Sequence, residues 1–256
     1  MDYNIKELIK SVDTNQHRIM RNILALYNID EITADITYSC GNFYKPVKAD
    51  GEEIIIPEPK YKFDVYPQTE DTIEIQKMGR IPLEDGSCKC IVYDPPFIIS
   101  PHECPSFTDP DKLETANKIQ HRFGSFYPVS ELTTTFHFHF TELKRLLTED
   151  GYAIVKIQDT VTARKQLNST SYMWFLGESV GLDMVDKFVL VAKNRILSGK
   201  YKAQEHSRRW ESYFLVFRNS SKLKPKLLDG FTDEQIATIL EGFRRNNLSK
   251  KRLNIV

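Results

Sequence analysis

Only four cysteines occur in 256 residues, Cys40, Cys88, Cys90 and Cys104. They are too few and too unevenly spaced to form a disulfide scaffold, so reduced thiols are expected. Net charge is absent too. Thirty-five basic residues balance thirty-five acidic ones, which leaves no overall pull toward nucleic acid or a membrane surface, and any such partner has to be met by a local patch. No apolar run reaches the roughly eighteen residues of a membrane span. The opening MDYNIKELIK is too polar for a secretory signal. A cytoplasmic, non-secreted protein without a membrane partner is therefore expected. Internal repeats and low-complexity tracts are lacking as well.

What is present is an alternation of helical and strand-like segments. NIKELIKSV and QHRIMRNILALYN carry apolar residues at helical spacing, with Asp13 or Thr14 as a cap between them. Strand-like runs follow: EITADIT, KYKFDVY, CKCIVYD, YAIVKIQ, DKFVLVAKN and WESYFLVFR. Helical stretches lie between several of them, notably SELTTTFHFHFTELKRLLTEDG and SYMWFLGESVGL. This pattern predicts an α/β fold with a doubly wound, mostly parallel sheet covered on both faces, the last two strands forming an antiparallel edge. Three parts are expected: an N-terminal helical segment over 1–28, a main domain over 29–220, and a C-terminal helix with a basic tail over 221–256.

The strand ends carry the chemistry. IVYDPPF ends an apolar strand in an acid, two prolines and an aromatic ring. Two prolines stop a strand, remove two backbone donors and hold the chain rigid. Asp94, Pro95, Pro96 and Phe97 are thus expected together at the carboxyl end of a buried strand, where open α/β sheets bind ligands. Earlier, DITYSCG places Asp35 at a strand end, followed by Thr37, Tyr38, Ser39 and a turn closing in Gly41, and KFDVYP places Asp64 at the next strand end. A glycine turn lets a ligand approach the backbone, and a carboxylate after the second strand suits a ribose diol.

Taken in this order, the motifs resemble class I S-adenosylmethionine-dependent methyltransferases, and DPPF is similar to the Asp/Asn-Pro-Pro-aromatic motif of the amino-methyltransferases of nucleic-acid bases. The resemblance covers about residues 30–218. It implies a seven-stranded Rossmann-like methyltransferase fold and S-adenosylmethionine as cofactor. The cofactor is implied to be held by Asp35, Thr37, Tyr38, Ser39, Gly41 and Asp64, with Gln76 or the backbone at Met78 standing where the family often has an acid for the adenine amine. Ser39 replaces the family's first glycine. The implied reaction is methylation of an exocyclic base amine in DNA, adenine N6 before cytosine N4, with Asp94 and the Pro95 carbonyl accepting the amine N–H groups and Phe97 stacking on the base. RNA is the second candidate substrate. A protein-glutamine methyltransferase is disfavoured, since its motif begins with Asn, and a non-catalytic binding subunit of this fold is the alternative from another class.

Two further regions suit a nucleic-acid partner. The long stretch 98–130 has the character of a target-contacting loop, with Arg122, Phe123 and Tyr127 as its contacts. The connection between the last two strands, KNRILSGKYKAQEHSRRW, interleaves Lys200, Arg208 and Arg209 with Tyr201 and Trp210. Since there is little room for a target-recognition domain, a partner subunit or homodimer is a further expectation. Lys156, Gln158 and Asp159 are placed near the cleft, either touching substrate or bracing the catalytic corner. No metal site is expected: Cys88 and Cys90 lack a second ligand pair, and His137 and His139 fall in a helical segment.

Overall fold

The run CKCIVY becomes strand β7 (Cys88–Tyr93), buried at every position but Lys89. That is the composition a central strand covered on both faces requires. The computed structural model describes residues 8–97, 126, 129–162, 165–193, 206–220 and 231–245. Parallel to β7 lie β2 (Ala34–Asp35) on one side and β8 (Leu147–Ile157) on the other. Beyond β2 the sheet continues through β5 (Tyr61–Asp64) to β6 (Ile73–Glu74), and beyond β8 through β12 (Glu211–Arg218) and β11 (Asp183–Val191) to β1 (Val12–Asp13). This is a doubly wound, mostly parallel, Rossmann-like sheet.

Two details differ from expectation. The sheet has eight strands and not seven. The added one, β1, comes from a segment expected to be helical: Val12 and Asp13 pair in parallel with Val189 and Leu190. Leu8, Ile9 and Val12 remain exposed, so the apolar spacing there has no core to cover, and tertiary pairing overrides it. The antiparallel strand is also not at the edge. β12 sits between β8 and β11, bonded antiparallel to both, because Phe214, Leu215, Val216 and Phe217 are all buried and need cover on both faces.

Two apolar layers sandwich the sheet. On one face, α1 (Gln16–Leu26) is capped by Asn15, whose side chain accepts from the backbone of His17 and Arg18. It buries Ile19, Met20, Ile23 and Leu24 against Cys90, Val92, Ile154, Phe214 and Val216. The hairpin of β3 (Val47–Ala49) and β4 (Glu52–Ile54) joins this layer through Ile54. Its turn places Asp50 and Gly51 at φ 53° and 83°, the left-handed pair that an Asp-Gly sequence favours. On the other face α2 (Val129–Leu146) and α3 (Ser169–Ser179) bring Leu132, Phe136, Phe140, Leu143, Tyr172, Met173 and Leu176 to the core. A short hairpin of β9 (Thr160–Thr162) and β10 (Lys165–Leu167) precedes α3. The final helix, α4 (Asp233–Arg245), begins in a reciprocal cap between Thr232 and Gln235 and lies beside α2.

The chain runs outward from β2 to β5 and β6, then returns to the opposite side of β2 as β7. The direction of winding therefore reverses between β2 and β7. That switch point opens a crevice at the carboxyl ends of the strands, where Asp35 and Asp94 stand on neighbouring strands.

Candidate active site

Side chains alternate along a strand, and the alternation brings three charged residues to one face at the carboxyl edge. Ala34 and Tyr93 belong to the α2 layer, which turns Asp35 and Asp94 toward the α1 layer. Val155 is opposite Tyr93 in the parallel register, so Lys156, the next residue of β8, lies beside Asp94. Its Nζ is 3.3 Å from Asp94 Oδ2 and 3.4 Å from Gln16 Oε1 of α1. The ammonium also sits 4.9 Å from the centroid of the Phe43 ring.

The corner after β7 is fixed from its backbone. The Asp94 N–H donates to Thr37 Oγ1 at 2.7 Å, and Thr37 Oγ1 in turn lies 3.3 Å from Asp35 Oδ1. Pro95 is buried, while Asp94, Pro96 and Phe97 are partly exposed. Phe97 packs on the α2 layer. Burial raises the Asp94 carboxyl above its usual range, and the Lys156 ammonium opposes that rise. Just behind the corner, Tyr93 Oη lies 2.6 Å from His139 Nδ1. His139 is buried, and desolvation lowers it to about 4, so it is neutral at pH 7; it belongs to the core, as its helical context implies.

Asp35 is 1% exposed. Oδ1 accepts the Thr37 N–H at 2.8 Å and Oδ2 accepts the Tyr44 hydroxyl at 2.6 Å. It is an internal brace of the turn that follows β2. Burial pushes its carboxyl up to about 7, against these hydrogen bonds and with a smaller contribution from the Asp94 charge. A carboxyl raised on folding binds more protons when folded, so its contribution to stability is full below its unfolded value near 4 and is lost as pH rises toward 7. Asp35→Asn is therefore expected to flatten that decline and to be more stable than the wild type at pH 8, read by urea denaturation at pH 5 and pH 8.

Asp64 ends β5 with Oδ2 accepting the Ser39 N–H and Oδ1 the Tyr66 N–H, both at 2.7 Å. The Val65 backbone also donates to this carboxylate, whose remaining lone-pair capacity can take a diol hydroxyl. Burial raises this carboxyl, and the backbone donors oppose it. Ser39, in the family's glycine position, has φ 52°, a left-handed conformation that costs a side chain about 1 kcal/mol. Ser39→Gly is expected to raise unfolding stability by about 0.5–1 kcal/mol, measured by urea denaturation.

Gly41 has a reason other than ligand approach. A Cβ on Gly41 would lie 2.4 Å from Tyr38 Oη and 2.7 Å from Cζ, so the glycine admits the Tyr38 ring. That ring stacks on Tyr44, donates to Glu58 at 2.8 Å and lies under the Lys62 ammonium. Gln76 and Met78 are exposed just beyond β6, an apolar thioether being unusually open there at 49%.

Arg208, Arg209 and Trp210 lie at the same edge as Asp94, because the start of β12 opposes the ends of β8 and β11. Arg208 and Trp210 are exposed, whereas Arg209 bonds Gln166 of β10. Arg122, Lys200, Phe123, Tyr127 and Tyr201 lie outside the described residues. Of the residues placed near the cleft, Lys156 reaches Asp94. Gln158 instead donates to the Glu211 carbonyl at 2.6 Å, and Asp159 accepts the Thr170 N–H at 2.9 Å at the start of α3. Sequence reasoning missed Gln16, Phe43 and Tyr44. The aromatic pair directly after the glycine turn was the available signal. Among the described residues no helix is long and apolar enough to cross a membrane.

No protein-family model and no curated protein matches the sequence. Among solved structures, the chain is similar to a candidate DNA modification methylase from Thermus thermophilus complexed with S-adenosyl-L-methionine, at 15% identity and TM-score 0.36, over 60% of this chain and 54% of that one. It is also similar to a candidate sarcosine dimethylglycine methyltransferase from Galdieria sulphuraria, at 13% identity and TM-score 0.43, over 80% of this chain and 85% of that one. A third is the N-methyltransferase NodS from Bradyrhizobium japonicum in complex with S-adenosyl-L-homocysteine, at 12% identity and TM-score 0.39, over 81% and 89%. The chain spans about half the length of the Thermus thermophilus protein.

Proposed function

We propose that this protein is an S-adenosylmethionine-dependent methyltransferase acting on an exocyclic amine of a base in DNA, adenine N6 before cytosine N4. The observation that carries the reading is the Asp94-Pro95-Pro96-Phe97 corner at the carboxyl end of β7, beside the switch point between β2 and β7, with a partly exposed carboxylate. The exposed Arg208 and Trp210 at the same edge supply charge and a ring for a nucleic acid.

In this reading Asp64 accepts from the ribose diol, the Ser39 and Thr37 region lines the methionine end, and Met78 with Gln76 covers the adenine. Asp35, Tyr38 and Gly41 act one step back by shaping the turn. S-adenosylmethionine, when bound, supplies an electrophilic methyl group on a sulfonium sulfur. The base amine is a poor nucleophile because its lone pair is delocalised into the ring. The Asp94 carboxylate and the Pro95 carbonyl each accept one N–H, which favours a tetrahedral nitrogen and frees the lone pair. The two prolines hold both acceptors in place before substrate arrives. The Asp94 carboxylate would also take up the surplus proton that the amine nitrogen has to shed on methylation and pass it to solvent. Phe97 stacks on the extruded base, an interaction worth about 1–3 kcal/mol and indifferent to base identity.

The test is incubation of the purified protein with methyl-labelled cofactor and, separately, DNA, RNA and protein. The reading expects label in DNA. Label in RNA alone would move the substrate to RNA, and no transfer with intact nucleic-acid binding would make the chain a binding subunit.

A further inference from the structure

Asp94 has two carboxylate oxygens, and the structure treats them differently. Oδ2 faces the Lys156 ammonium at 3.3 Å, whereas Oδ1 has no hydrogen-bond partner among the described residues. The backbone N–H of Asp94 is taken by Thr37, and the buried Pro95 fixes the next peptide. The side chain can therefore turn only about its own bonds, and Lys156 is what restrains it there. Lys156 is itself restrained: its stem crosses the apolar α1 layer, with its Nζ 4.9 Å from the Phe43 ring centroid, 5.8 Å from that of Phe214 and 3.4 Å from Gln16 Oε1. Both side chains of the pair are mostly buried, at 18% and 25% exposed, a setting in which a lysine and carboxylate interact more strongly than at an open surface.

We infer that Lys156 is a positioning residue for methyl transfer: it ties Oδ2 of Asp94 and leaves Oδ1 to receive the amine N–H. The inference rests on the methyltransferase reading for its purpose and on the ion pair for its geometry. A carboxylate makes a stronger hydrogen bond to an N–H than a neutral acid does, and a protonated Asp94 would offer a donor where an acceptor is needed. Among the described residues, the charged groups facing Asp94 are Lys156 from β8 and Asp35 from β2, while Thr37 and Gln16 are neutral. Asp35 opposes ionisation of Asp94, so Lys156 alone favours it.

The experiment compares wild type, Lys156→Met and Lys156→Arg by two readouts: the ¹³C carboxyl titration of Asp94 by NMR, and the pH profile of methyl transfer to DNA. Lys156→Met is expected to move both the titration and the acid limb of kcat to higher pH. At about pH 6 its kcat should fall about tenfold, with KM for the cofactor within about twofold. Lys156→Arg is expected to restore both. A purely packing role would lower the melting temperature of Lys156→Met and leave titration and acid limb where they were, and that result overturns the inference. Should Lys156→Met lose cooperative unfolding, Lys156→Arg carries the test alone, and a titration well above wild type in that variant overturns it. A carboxyl shift in a protein whose wild type transfers no methyl group supports the ion pair and overturns the methyltransferase reading.

Discussion

Asp94→Asn is expected to lower kcat/KM for methyl transfer by about 10²–10³-fold, the loss typical when one preorganised polar group is taken from a reacting centre. The amide keeps the shape of the side chain, and its oxygen still accepts one N–H. It lacks the charge that strengthens the bond, and it has no place for the proton the nitrogen must shed. Stability should fall as well, because the mostly buried Lys156 ammonium is left without its carboxylate partner. Steady-state kinetics beside thermal unfolding separates the two effects. A variant that turns over at the wild-type rate would remove the carboxylate from the mechanism.

Thr37→Val should damage both fold and rate. Valine has nearly the same shape, but the hydroxyl it replaces accepts the Asp94 N–H at 2.7 Å and faces Asp35 Oδ1 at 3.3 Å. Loss of the acceptor strands a buried N–H, a cost of about 1–3 kcal/mol, which urea denaturation would register. The same loss frees the corner carrying both proposed acceptors, and a displacement of about 1 Å at a reacting centre can cost about 10²-fold. The expected kinetic signature is a fall in kcat of about 10–100-fold with a smaller change in KM for the cofactor. Thr37→Ser, which keeps the oxygen, should recover most of the rate. Wild-type stability and rate in Thr37→Val would mean that the link between β2 and β7 carries no strain and no function.

The sequence made the sheet legible where the strands are long and apolar. CKCIVYD, DKFVLVAKN and WESYFLVFR fall on β7, β11 and β12 within a few residues. It was poorer where pairing depends on distant partners. β2 has two residues and owes its place to neighbours on both sides, and β1 exists because Val12 and Asp13 find the free edge of β11. No local propensity encodes either. The position of β12 inside the sheet was hidden for the same reason, although its unbroken apolar run pointed to burial on both faces. The β3–β4 hairpin did have a local signal, the Asp50-Gly51 pair.

At the site, the acids at the strand ends could be read from residue type and order. Their partners could not. That Asp35 faces Tyr44, that Asp64 takes the Ser39 N–H, and that Lys156 reaches Asp94 all depend on strand register. Register converts a residue number into a face, and it is set by pairing across more than sixty positions in the case of Asp94 and Lys156. The glycine turn is instructive in the other direction. Gly41 fits a ligand-approach motif by spacing, yet the atom it makes room for belongs to Tyr38.

Product analysis tests the proposed amine methylation most directly. DNA incubated with the protein and S-adenosylmethionine is digested to nucleosides and examined by mass spectrometry. The expected product is N6-methyldeoxyadenosine from the wild type, with at most a trace from Asp94→Asn. Equal yields from the two proteins, or methylation confined to a ring carbon, would contradict the role given to the Asp94 corner.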